Sequence, residues 1–449
     1  MSQPLSLEEL VDEQSFSRFN LMILIWSFLA LLADGFDLAA LASAAPALGR
    51  AWHIARADFA PALSASVFGI LLGAPLLGVA GDRYGRKPAI LASCVVYSLS
   101  TLSVVWARNL DQVMILRALA GIGLGGLMPN LIALNSEFAP RRMRATLVVL
   151  MFAGISVGGG LPGAVQALLI PKFGWQIMFW IGGLAPLALT AALLFSLPES
   201  VRFLALRTER RAELIAIVRA MRPDLSIEED VQFRSAHTSG GGSGLQRIFR
   251  GSLAWITPLM WVCFASALMA NFFLNSWLPL VFESDGLSPQ RSGIAISLYH
   301  YGGVLGGLLV SLVLRPLGFA AMALLFLFAT LAIAAIGTPG ISYTTLVAFV
   351  SLAGFCTLGS QFGNNAAAGL LYPAAFRSRG VGWALGIGRV GSIAGPLVGG
   401  MLIARQLPPE KLFLMASLPM VVGMVAAALV AGLSYKNLGS TKLDEIREE

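Results

Sequence analysis

A chain of 449 residues that is 57% hydrophobic and only 12% charged, with a mean hydropathy of +0.77, is not an ordinary water-soluble protein. Soluble domains carry about 25% charged residues. A formal net charge of +7 would suit a nucleic-acid binder, but the positive residues sit in short turns between apolar runs, so nucleic acid is excluded as a partner.

Met1 to Arg18 contains Glu8, Glu9, Asp12 and Glu13 and lacks the positive start of a cleaved signal, so the first apolar run is expected to stay in the protein. Runs of bilayer-crossing length, roughly 20 residues, fall at 20–45, 58–80, 88–107, 111–136, 144–168 and 175–197. Six more follow at 254–280, 289–313, 318–337, 341–371, 379–404 and 411–434. The pattern predicts an all-α membrane protein of twelve transmembrane helices. Cys94, Cys263 and Cys356 each stand alone in such a run, so no disulfide, metal site or cofactor is expected.

With the N-terminus placed in the cytoplasm, 22 of the 31 Lys and Arg fall in cytoplasmic segments and 7 on the opposite side. By the positive-inside rule both termini are expected inside, as in a multi-pass protein of a bacterial inner membrane. The longest break, Val201 to Ser252, holds nine arginines and the flexible run Thr238 to Gly244, and reads as a solvated cytoplasmic linker that touches anionic lipid headgroups. It divides the chain into an N-terminal six-helix bundle (1–200), the linker (201–252), a C-terminal six-helix bundle (253–435) and a cytoplasmic tail (436–449).

The bundles read as repeats. Pro140 and Pro373, Arg144 and Arg377, and Gly85 and Gly318 are all separated by 233 residues. Paired repeats are how many secondary transporters are built, with substrate held near the midplane between them.

Span one carries Asp34 and Asp37, which share a helix face and lie roughly 22–27 Å from its cytoplasmic end. An unpartnered acid at that depth costs about 2.5–3.5 kcal/mol, and two such acids repel each other, so one should hold a proton readily. Static pairing with a basic residue is the competing reading. Arg117, in span four, approaches the depth of Asp37 and can pair with it, as a fixed brace or as a bond that opens when a proton arrives. Arg389 lies mid-membrane in span eleven, and its planar guanidinium suits a carboxylate. His300, beside Tyr299 in span eight, can relay protons or donate to a phenolic oxygen, or simply pack.

Between spans two and three runs Gly78-Val-Ala-Gly-Asp82-Arg83-Tyr84-Gly85-Arg86-Lys87, a tight basic turn in which Gly85 permits positive φ. This stretch resembles the loop signature of the major facilitator superfamily. So do Arg117-Ala-Leu-Ala-Gly121-Ile-Gly123, which opens span four, and Leu197-Pro198-Glu199-Ser200, which closes span six. Asp34-Gly-Phe-Asp37 in span one and the Gly380 to Pro396 string of span eleven resemble the aromatic acid:proton symporters, which import 4-hydroxybenzoate, related hydroxybenzoates and hydroxyphenylpropionates. One departure stands out: the second counterpart of the basic loop reads Arg315-Pro316-Leu317-Gly318, without the acid expected opposite Asp82.

The resemblance implies two pseudo-symmetric bundles of the major facilitator fold. It also implies proton-coupled import of a small aromatic carboxylate (hydroxybenzoate, gentisate or hydroxyphenylpropionate type) by alternating access, as a monomer in membrane lipid. Asp34, Asp37 and Arg117 are then the proton-coupling residues. Arg389 anchors the substrate carboxylate, with His300, Tyr299, Asn271, Asn275, Gln361 and Asn364 as hydrogen-bonding candidates and Phe36 and Trp383 as ring-stacking ones. Polar residues in spans also serve as helix glue, and interior aromatics more often pack than bind. Asp82, Arg83, Gly85, Arg86, Glu137, Arg144 and Arg377 form the expected gating cluster. A proton-driven exporter of drugs or metabolites is the alternative within the superfamily. An intramembrane enzyme would need a nucleophile with a partner, and the single embedded histidine, His300, has no acid in its span.

Overall fold

In the computed structural model, residues 5–14, 16–223, 233–234, 249, 253–372 and 377–438 are described. The Gly- and Ser-rich run Thr238 to Gly244 and most of the tail lie outside them. Among the described residues, twelve helices are long and apolar enough to cross a membrane, and we number them in order. They are α1 Arg18–Trp52, α2 Ala60–Tyr84, α3 Arg86–Ser103, α4 Leu110–Phe138, α5 Arg141–Leu168 and α6 Gln176–Ser196. The second six are α7 Leu253–Ser284, α8 Pro289–Leu317, α9 Phe319–Ile336, α10 Tyr343–Leu371, α11 Arg377–Ala404 and α12 Pro409–Leu438. An even number of crossings leaves both ends of the chain at one face, here the termini face.

Local chemistry sets the ends. Ser17 and Asn20 form a reciprocal capping box at the start of α1, and His53 closes it with φ +54. Asn109, Ser288 and Ser342 cap α4, α8 and α10 by accepting a backbone N–H of the first turn. Between α2 and α3, Gly85 has φ +109, and a Cβ there would run into the Glu199 carboxylate. Glu199 needs that space: its Oε1 accepts from the backbone N–H of Arg86 (2.8 Å) and Lys87 (3.2 Å) and caps α3.

The duplication extends far beyond the two loops. In α2 and α4, Gly69, Gly73 and Gly121 lie so close to the carbonyls of Ala118, Ile122 and Ser66 that any side chain would collide. In α8 and α10, Gly302, Gly306 and Gly354 meet the carbonyls of Ser351, Phe355 and Tyr299 in the same way. Each of these six residues and each of its partners is displaced by 233 from its counterpart. Gly158 against Leu32 in α5 and α1 likewise becomes Gly391 against Ala265 in α11 and α7. Without a hydrophobic drive between helices in lipid, such small-residue seams are what lets backbones approach and pack.

Segments flanking the spans at the termini face also pack. Leu7, Leu10 and Val11 of a short helix, Leu7–Asp12, are buried in one cluster with Leu214, Val218 and Met221 of another, Arg211–Met221. Leu5–Ser6 and Phe233–Arg234 pair as two short parallel strands. The expected solvated linker is thus, over 201–221, folded against the first bundle, because Leu214, Ile215, Val218 and Met221 form an apolar stripe that water would not hold.

Candidate functional site

The halves meet near the face opposite the termini. Ser64 of α2 donates to the Ile393 carbonyl of α11 (3.2 Å), and Ser297 of α8 donates to the Gly160 carbonyl of α5 (2.7 Å). These two bonds are copies of each other at the 233 offset. Arg50 and Gln166 of the first half both bond Glu283 of the second, and Gln166 also donates to Ser292. Among the described residues, every hydrogen bond between the halves belongs to this set. Toward the termini face, α2 and α11 separate into an apolar cleft of about 530 Å³ lined by Leu71, Trp383, Ile387 and Val390. The hydrogen bonds that join the halves therefore gather at the far face.

At the midplane the two acids of α1 have opposite fates. Asp37 is fully buried and locked. Arg117 Nη2 and Nη1 grip its two carboxylate oxygens at 2.6 and 2.9 Å, and Nη2 also reaches the Asp37 carbonyl at 2.9 Å. Thr101 Oγ1 donates to Asp37 at 2.5 Å, and Ser66 accepts from Arg117 Nε at 3.0 Å. A bidentate pair with its remaining valences filled is what makes buried charge tolerable.

Asp34, one turn nearer the termini face, is 2% exposed, and its Oδ1 has no hydrogen-bond partner. The charges acting on it are Asp37 and, across the interface, Arg389. Arg389 is partly buried and, among the described residues, makes no hydrogen bond or ion pair; Asp34 is the charged group it feels. One acid is braced and the other is free beside a free cation. Only the second arrangement leaves a carboxylate able to exchange a proton and a guanidinium able to receive an anion.

The remaining candidates divide. Gln361 Oε1 and Asn364 Nδ2 of α10 are buried and unpaired, on the helix face that also carries Thr357. Orphaned buried polar atoms call for a ligand or water. His300 Nε2 lies 3.4 Å from Asn275 Oδ1, and its ring sits against Gly159 of the other half. Tyr299 and Asn271, by contrast, satisfy each other inside the second bundle: the tyrosine hydroxyl donates to Asn271 Oδ1 at 2.8 Å. Phe36 is turned away from the interface, with its ring against Gly182 of α6. Trp383 stacks on Trp261 (ring centroids 6.3 Å apart) and lines the outer cleft, on a different face of α11 from Arg389. Both aromatics were expected to stack on a ring; their helical phase directs them to packing instead.

The residues expected to gate make separate local contacts rather than one network, and Glu199 of the Leu197 to Ser200 signature adds another. Arg86 pairs with Asp82 one turn back and donates to Asn130 Oδ1 at 3.0 Å. Glu137 accepts from the Ser200 hydroxyl rather than joining Asp82. Arg144 donates to the Ala139 carbonyl, and Arg83 lies over the ring of Tyr84. Glu199, the added member, bridges α3 and the end of α6. Arg377 opens α11, and its side chain lies outside the description.

Two repeated six-helix bundles, closed on one side and with unpaired opposite charges held between them, define a multi-pass membrane transporter rather than an enzyme. The chain belongs to the Major Facilitator Superfamily, which it matches over residues 27–342. It is 34% identical to the gallate transporter of Pseudomonas putida, over 98% of this chain and 97% of that protein. It is 32% identical to the 4-hydroxybenzoate transporter PcaK of Pseudomonas aeruginosa, over 97% and 98%. Among solved structures, the xylose transporter XylE from E. coli, in a partially occluded inward-open conformation, superposes with a TM-score of 0.71 at 16% identity. That match covers 94% of this chain and 98% of XylE, and it carries the fold alone.

Proposed function

We propose that this protein imports a small aromatic carboxylate together with a proton across the bacterial inner membrane, with its termini face in the cytoplasm. The observation that carries the reading is the contrast at the midplane: Asp37 is held by Arg117 and Thr101, with Ser66 steadying Arg117, while Asp34 Oδ1 has no hydrogen-bond partner and lies within electrostatic reach of Arg389. Among the described residues Asp34 is the acid that acts on Arg389, so a substrate carboxylate competes with ionised Asp34 for it. A proton on Asp34 removes the competitor. Acid and proton therefore bind together, and leave together once the termini side is open.

The relatives named for gallate and 4-hydroxybenzoate support a benzoate-type ring, and Gln361 and Asn364 offer an acceptor and a donor for its hydroxyls. The charge bias of 22 to 7 supports the orientation.

The test is uptake of labelled hydroxybenzoates, gentisate and phenylpropionates into proteoliposomes with an imposed pH gradient. Acid-inside and acid-outside vesicles should differ, with accumulation only toward the alkaline side. Arg389→Ala should weaken substrate binding by about 10–100-fold, the cost of losing a charge-assisted contact of ~1.5–3 kcal/mol. Unchanged affinity would remove Arg389 from the site.

A further inference from the structure

The far face holds another buried carboxylate, which no role yet explains. Glu283, near the end of α7, has a side chain only 6% exposed, and both of its partners come from the opposite half. Arg50 Nη1 donates to its Oε2 at 2.5 Å and Gln166 Nε2 to its Oε1 at 2.8 Å. Gln166 also reaches Ser292 Oγ of α8 at 3.3 Å, which ties α5 to α7 and α8 at one point.

The positions have a meaning within the duplication. Arg50 and Glu283 are separated by 233 residues, so they are one position of the repeated unit, occupied by opposite charges and meeting where the two copies face each other. Gln166 and Ser292 correspond to Gly399 and Phe59, which carry no polar side chain, so this anchoring exists on one flank only.

The serine staples are neutral bonds of about 1 kcal/mol or less. Arg50 is 60% exposed and already wet, so opening costs it little. Glu283 is the group whose burial and both of whose contacts exist only while the far face is shut.

We propose that Glu283 is the latch of the far gate: its hold on Arg50 and Gln166 keeps that face closed and sets the balance between the two openings of the transport cycle. The inference rests on the transporter fold and not on which acid or how many protons are carried.

The test uses the full chain in lipid nanodiscs, with Cys94, Cys263 and Cys356 replaced by alanine and Ser64→Cys as reporter. Ser64 is sealed in the α2–α11 staple, so a hydrophilic maleimide reaches it when the far face opens. Glu283→Gln should speed labelling about tenfold, the factor that ~1.4 kcal/mol of lost closure produces. Arg50→Glu alone should do the same, and the swapped pair Arg50→Glu with Glu283→Arg should return labelling to the slow rate. If Glu283→Gln does not fold, Arg50→Gln, on an exposed side chain, gives the equivalent comparison. Unaltered labelling in the single variants, or fast labelling in the swapped pair, overturns the proposal.

Discussion

The two halves share a scaffold and divide the charge. Four pairs of glycines in their seams stand at an offset of 233, and within each pair the carbonyls they meet stand at that same offset. Most of their ionisable residues do not recur at that offset. Asp34, Asp37, Thr101 and Arg117 of the first half correspond to Ala267, Ala270, Ala334 and Val350 of the second. Arg389 and His300 correspond to Ser156 and Val67 in the first. The termini face repeats the contrast: Asp82, Arg86, Asn130 and Glu137 have Arg315, Phe319, Gly363 and Leu370 as counterparts. Packing defines the repeated unit, and chemistry lies in what the copies do not share. One half carries a braced acid and a free one, and the other supplies the free cation.

The severest way to break that contrast is to unbrace the first half. Arg117→Ala should leave Asp37 buried and unpaired, destabilising the protein by about 3–5 kcal/mol, read as a large fall in melting temperature and in folded protein recovered from membranes. Asp34→Asn should act on the other acid with the opposite signature. The fold should survive while uphill accumulation is lost, more than about tenfold, with downhill exchange of substrate retained, since the position then mimics a permanently protonated carboxyl. Undiminished accumulation would refute the division of labour between Asp34 and Asp37.

The shared scaffold can be tested with matched substitutions. Gly69→Ala and Gly302→Ala should each cost about 1–3 kcal/mol by overpacking, and by similar amounts, because each meets a backbone carbonyl in the same seam. Unequal melting shifts would show that the seams are copies in geometry only. The smallest effect belongs to a bond internal to the second half. Tyr299→Phe removes the hydroxyl that bonds Asn271 and Thr357 and should cost about 0.5–1.5 kcal/mol while leaving substrate affinity unaltered.

Much of this is legible in the sequence. Twelve apolar runs with basic turns predict the spans, since few other folds tolerate a run of that length without charge. The depth of Arg117 along its span predicted its meeting with Asp37. What was not read is how completely Asp37 is satisfied: Thr101 adds a bond to it and Ser66 holds Arg117 in place, two ordinary hydroxyls on other helices that nothing in the sequence distinguishes. Glu199 stood in a recognised signature, yet its capping of α3 depends on a contact more than a hundred residues away in the chain. Phe36 and Trp383 were expected at the ring site because their types and depths suit it. A position along a helix fixes depth, whereas the direction a side chain takes depends on rotation about the axis, which a boundary uncertain by a residue or two leaves open.

The locked pair at the midplane has an electrical consequence. Asp37 and Arg117 cancel in place, so the movable charges of the proposed cycle are those of Asp34, Arg389 and the cargo. Empty, the site holds one carboxylate and one guanidinium. Loaded, it holds a neutral carboxyl, the same guanidinium and the anion of the acid. Both sum to zero. Such a carrier senses no voltage, and the ratio it builds across the membrane is set by acidity alone, about tenfold for each pH unit.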